Sequence, residues 1–166
     1  MHQYGFINVL KKQSNIMKLT EHFSLEELLY SDTALKKNID NTPNDEIVEH
    51  LRLLCVNILE PLRNAWGSGI KVSSGYRSKK LNSAVGGSNT SAHCFGWAAD
   101  ITPSNKKISE FKSFTIKWLK NSNIKFDQFI NEFSGVSQWV HIGLYNMSGE
   151  QRRQFLKYKN GVYTKI

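Results

Sequence analysis

The chain has 166 residues, 40% of them hydrophobic, and two cysteines, Cys55 and Cys94. That length suits one domain with its own core, and two cysteines are too few for a disulfide framework, so a small cross-linked scaffold is excluded. Lys and Arg number 22 against 14 Asp and Glu, giving a net charge of +8 that favours polyanionic surroundings but is scattered, without the finger spacing, basic helix or aromatic signature of a nucleic-acid reader.

No apolar run approaches the 18 or so residues that cross a bilayer. Met1 to Leu10 lacks the basic region and small-residue cleavage site of a secretory leader. The expectation is therefore a cytoplasmic product with no membrane span, working as a monomer. Residues 1–18 show no clear period and read as an N-terminal extension, with Met17 as an alternative start. Residues 19–166 read as the domain.

Organisation begins at Ser24-Leu-Glu-Glu27, a capping box that opens a short helix over Leu25 to Tyr30, with Phe23 placed to staple against Leu28. Thr42 as cap and Pro43 at the first helical position predict a longer helix ending near Trp66-Gly67. Its apolar stripe runs through Ile47, Leu51, Leu54, Cys55, Ile58 and Leu62, which makes Cys55 a core residue. Ile70 to Ser74 reads as a strand and Gly75 to Ser78 as the turn that leaves it. Lys79 to Val85 forms a short helix closed by Gly86-Gly87. Ser88 to Gly96 is a loop, Ala98 to Ile101 a small-residue strand, and Ile108 to Lys120 a second amphipathic helix. Phe126 to Glu132 and Trp139 to Leu144 read as strands joined at Ser134-Gly135. This order of elements predicts an α+β domain with a mainly antiparallel sheet flanked by helices.

The chemistry concentrates in Ser91-Ala-His93-Cys-Phe-Gly96-Trp-Ala-Ala-Asp100 and in Trp139-Val-His141. Two imidazoles and a carboxylate suit a zinc ion with its fourth position open, the arrangement of a catalytic metal. His93 and Asp100 are not at the i, i+4 spacing of one helical face, so they must converge from a loop and a strand. In the last strand Trp139, His141 and Gly143 share one face, and Val140, Ile142 and Leu144 point into the core. Cys94 points away from its neighbour His93 and is not expected among the ligands.

The run Val72-Ser-Ser-Gly-Tyr-Arg77, with Val85-Gly-Gly87, Ser91-Ala-His93, Ala98-Ala-Asp100-Ile101 and Trp139-Val-His141, closely resembles the M15 family of zinc D-Ala-D-Ala peptidases, above all its phage-type members. The resemblance implies the fold these peptidases share with Hedgehog signalling domains. It implies zinc held by His93, Asp100 and His141, and hydrolysis of bacterial peptidoglycan peptides either as a carboxypeptidase or as an endolysin-type endopeptidase released to the wall from the cytoplasm. It also implies substrate contacts from Arg77, Tyr76 and Ser91, with Arg77 acting in catalysis. Some members carry an acid three residues before the last histidine. Here that position is Gln138, which cannot take a proton, so the general base falls to Glu132 or, less favoured, Asp127. The alternative is a non-catalytic zinc-binding module of the same fold, acting in protein or cell-wall binding.

Overall fold

The computed structural model describes residues 16–166. The expected N-terminal extension thus lies, through residue 15, outside the described residues. Met17 and Lys18 are already attached to the domain: the Met17 carbonyl accepts the Leu25 N–H at 2.9 Å and Lys18 forms a β-bridge with Ser24.

Helix α1 spans Leu25–Leu29 and is capped by Ser24, whose hydroxyl accepts the Glu27 N–H at 3.3 Å. Phe23 and Leu28 are both fully buried, as a staple requires. The return half of the capping box is absent. The Glu27 carboxylate accepts the Val72 N–H at 3.2 Å instead, tying α1 to the first strand. A further short helix not anticipated from sequence, α2 (Asp32–Lys36), follows the Ser31 cap.

The long helix starts later than expected. Asn44, not Thr42, caps it by accepting the Ile47 N–H at 2.9 Å, and α3 covers Asp45–Leu54. Thr42 precedes a proline, which disfavours helical backbone there, and its N–H is taken by the Asp40 side chain at 2.8 Å. The helix then widens into a π-helical turn, Cys55–Leu59, before continuing as α4, Glu60–Trp66. Pro61 explains the widening. It has no N–H to give the Asn57 carbonyl and its ring would clash with that group, so the helix takes in one extra residue per turn and Glu60 N–H reaches back to Cys55. The stripe from Leu51 to Leu62, Cys55 included, stays fully buried.

The sheet has six strands: β1 Ile70–Ser74, β2 Ala98–Pro103, β3 Gln128–Ser134, β4 Ser137–Gly143, β5 Gln154–Lys159 and β6 Val162–Lys165. Their spatial order is β1-β2-β4-β3-β5-β6, antiparallel throughout except for β3 beside β5. The fold is α+β, as expected. Helix α5 (Lys79–Ala84), a 3-10 turn (Ala92–Phe95) and α6 (Ile108–Asn121) complete it. Ala99, Ile101, Phe129, Val140 and Ile142 turn one sheet face into the core shared with α3, α4 and α6. The alternate residues Asp100, Glu132, Trp139 and His141 therefore face a groove on the other side.

One buried cation lies on the helix side. Lys112 of α6 is 6% exposed, with Nζ 3.9 Å from the Phe133 ring centroid and 3.1 Å from the Gln138 amide oxygen it donates to. Burial, then the like charge of Lys157, lowers its amine from the ordinary 10.5 to about 8. Between those pH values the unfolded chain binds more protons than the folded one, so stability rises with pH across that window. Lys112→Met should raise Tm at pH 7 by about 2–4 °C, the effect of ~1 kcal/mol in a chain of this size. In thermal melts that advantage should shrink as pH climbs above 8.

Candidate metal centre

His93 is delivered by a turn that is clamped from several sides. Gly96 closes the turn at φ +70, and a Cβ there would come within 3.0 Å of the Ile47 carbonyl oxygen. Only glycine meets both demands without strain. His50 stacks on Trp97 with ring centroids 3.7 Å apart and donates from Nδ1 to the Phe95 carbonyl at 2.7 Å. The imidazole of His93 itself donates from Nδ1 to the Gly75 carbonyl at 2.7 Å, which leaves the Nε2 lone pair free. Gly75 can sit there because it lacks a side chain: a Cβ would fall 2.3 Å from the Leu28 carbonyl oxygen.

Asp100 and His141 are direct partners in the β2–β4 ladder, so their side chains rise from the same face. The Asp100 Oδ1 lies 3.2 Å from His93 Nε2 and 3.0 Å from His141 Nδ1, and the two nitrogens are 3.2 Å apart. Tetrahedral zinc with bonds of about 2.0–2.1 Å has ligand-to-ligand edges of roughly 3.3–3.4 Å, close to this spacing. These three buried residues form a candidate metal-binding group. Cys94 is not part of it.

Burial pushes the Asp100 carboxyl up, yet the adjacent His93 and His141 outweigh it and hold the acid far below the usual carboxylate range. Burial lowers His93 toward the neutral imidazole a metal needs. Burial also opposes charge on His141, but its bond to Asp100 prevails and raises it.

Arg77 backs the group from behind. Its Nη2 donates to Asp100 Oδ2 at 3.0 Å, its Nε to Ser74 Oγ at 2.9 Å, and its Nη1 reaches Asn82 Oδ1 at 3.4 Å. This fork orients the second carboxylate oxygen and leaves Oδ1 for the histidines. Arg77→Lys keeps the charge but loses the fork. Zinc affinity, read by chelator competition, should fall about 10–100-fold.

Tyr76 and Ser91 line the same groove, which encloses about 1040 Å³. The Tyr76 N–H donates to the Leu28 carbonyl at 2.8 Å, and the Ser91 carbonyl accepts the Cys94 N–H at 3.0 Å, so both anchor the backbone beside the metal group. Glu132 pairs with Trp139 across β3–β4, one step along the groove face from His141. Burial raises its carboxyl above the ordinary value, although His141 pulls it down.

The other two positions considered for an acid are engaged elsewhere. Asp127 is buried and gripped through both oxygens by Arg152, at 2.6 and 2.7 Å. That ion pair stabilises the charged carboxylate and makes Asp127 a weaker proton acceptor than Glu132, which has no such partner among the described residues. Gln138 lies on the helix side of β4, bonded to Lys112, and does not face the groove.

The family model described as Peptidase M15 matches residues 21–143. The chain belongs to the peptidase M15 family. A search of curated proteins returns no match. In this M15 chain the metal group, Arg77 and Glu132 all lie inside the matched segment. The hairpin of β5 and β6 lies beyond it and yet supplies groove residues Leu156, Tyr158 and Tyr163. Sequence reasoning did not single out that hairpin, nor His50 behind the His93 turn, and it gave no role to Ser74 and Asn82, which stand behind Arg77. Asn160-Gly161 was the available signal for the hairpin. Ser74 and Asn82 lie three and five residues from Arg77, inside and just after the Ser-Gly-Tyr-Arg run, whereas His50 acts on Phe95, 45 residues away, and had no local signal.

Proposed function

We propose that this M15 peptidase is a zinc enzyme that hydrolyses peptide bonds of bacterial peptidoglycan. The observation that carries the reading is the convergence of His93 Nε2, Asp100 Oδ1 and His141 Nδ1 to 3.0–3.2 Å, with half-buried Glu132 on the same sheet face. Zinc, when bound, supplies a Lewis acid for the scissile carbonyl and makes water a nucleophile near neutral pH. Glu132 is the proton carrier: its carboxylate takes the proton from the attacking water and returns it to the leaving amine nitrogen. A raised carboxyl suits that double duty, since the acid must both accept and release within one turnover. Arg77 holds Asp100 in place, and Trp139 stands beside Glu132 as its cross-strand partner.

The groove continues on both sides of the metal group. Tyr30, Asp32 and Gly86 line one end, and Tyr158 and Tyr163 line the other. A through-running groove favours an internal bond of the stem peptide or cross-link over removal of a terminal D-alanine. The net charge of +8 supports attraction to anionic walls.

The test is a digest of purified peptidoglycan by zinc-loaded protein, with product masses. The expected result is new amine termini within the stem or cross-link. Free D-alanine as the sole product would replace the endopeptidase reading with a carboxypeptidase one. A chain that binds one zinc and releases no amine from several wall types would be a binding module.

A further inference from the structure

The groove beyond Glu132 is built by chain outside the M15-matched segment. In the parallel β3–β5 ladder Glu132 pairs with Tyr158, and Tyr158 pairs in turn with Tyr163 across β5–β6. Paired residues share a face, so both rings rise on the side of the sheet that carries His141 and Glu132. At about 4.8 Å per strand, Tyr163 sits two strand steps, or roughly 10 Å, from Glu132. The two rings lie 4.5 Å apart, tilted by 40°. Tyr163 is 58% exposed, and Asn160 and Gly161 extend the same wall.

We infer that Tyr158 and Tyr163 form a saccharide-stacking subsite that receives the glycan end of the substrate. This rests on the peptidoglycan reading above. A half-open pair of tyrosines is a poor host for an aliphatic side chain, which gains most when fully removed from water. It suits a sugar ring, whose C–H face rests on the aromatic ring while its hydroxyls stay hydrated or meet the phenolic oxygens. The distance fits as well. A scissile bond near the sugar-linked end of a stem peptide lies one residue and a short linker from the glycan, and an extended residue spans about 3.3–3.6 Å. The subsite therefore makes the enzyme a reader of glycan-linked peptides.

The test compares two substrates: a muropeptide that keeps its disaccharide, and the same stem peptide freed from it. Wild-type protein should cut the glycan-linked form with the higher kcat/KM. Tyr163→Ala should bring the ratio of the two down about five- to tenfold, the size of one aromatic contact, and Tyr163→Phe should keep it. Tyr163 is exposed, so the substitution should leave the fold intact, and circular dichroism checks it. Equal losses on both substrates, or an unchanged ratio, would overturn the subsite. Amide shifts in NMR on adding the disaccharide alone separate this inference from the peptidase reading. Shifts confined to Tyr158–Tyr163 in a protein that cuts nothing would support the subsite and sink the peptidase, and their absence would sink the subsite whatever the activity.

Discussion

Glu132→Gln should lower kcat on a peptidoglycan substrate by about 10²–10⁴-fold, the usual worth of a positioned acid–base group, while one zinc per chain stays bound. Glutamine keeps the size and one carbonyl oxygen of the side chain but cannot cycle a proton. The effect should fall on kcat with little change in KM, because a proton carrier acts in the transition state and not in ground-state binding. Steady-state kinetics beside zinc analysis checks both halves. If activity survives the substitution, another group moves the proton; Asp127, which lines the groove in its pair with Arg152, is then the candidate, since Gln138 faces the helices.

His141→Ala should be more severe, removing both stoichiometric zinc and measurable hydrolysis. His141 is one of only three donors in the group and sits at 3.0 Å from the shared oxygen of Asp100. With two donors left, chelate binding collapses, whereas loss of Arg77 only loosens an intact set. Zinc content after dialysis, with a melting curve for fold, is the measurement. A His141→Ala protein that kept full zinc occupancy would place the metal elsewhere, and Glu21, His22 and Glu60 form the other cluster of suitable groups among the described residues.

Much of the fold was legible because its signals are local. The staple at Phe23 and Leu28, the stripe from Leu51 to Leu62 and the alternation of Trp139 to Leu144 each came through as buried or facing residues in the expected places. The misreadings have two causes, a partner distant in sequence in one case and the backbone demands of a proline in the other two. Glu27 left its capping box for the Val72 N–H of a strand far along the chain. Thr42 lost the cap to Asn44, whose side chain reaches the first free N–H groups once Pro43 holds the chain extended. Pro61 sits inside a run of good helical periodicity, and the helix keeps that periodicity by widening instead of breaking.

The hairpin β5–β6 is a different case, because its signal was present. Asn160 and Gly161 adopt φ of +52 and +79, the left-handed pair that a two-residue hairpin turn requires, and Asn-Gly is its commonest sequence. The flanking residues are too mixed in polarity to announce a strand, since β5 buries no residue fully and β6 is exposed along its length. For the metal group, sequence supplied the residue types and the alternation of the last strand. The convergence of loop and strands rests on features read only in three dimensions: Gly75 against Leu28, Gly96 against Ile47, and the guanidinium of Arg77 behind Asp100.

If one metal ion held by His93, Asp100 and His141 drives the proposed hydrolysis of peptidoglycan, activity must follow metal stoichiometry. The most direct measurement is a zinc titration of chelator-stripped protein, following amine release from purified peptidoglycan at each addition. The expected result is no release without metal, a linear rise to one equivalent of zinc and a plateau beyond it. Hydrolysis that persists in the stripped protein, or one tightly bound zinc with no hydrolysis at any point of the titration, would contradict it.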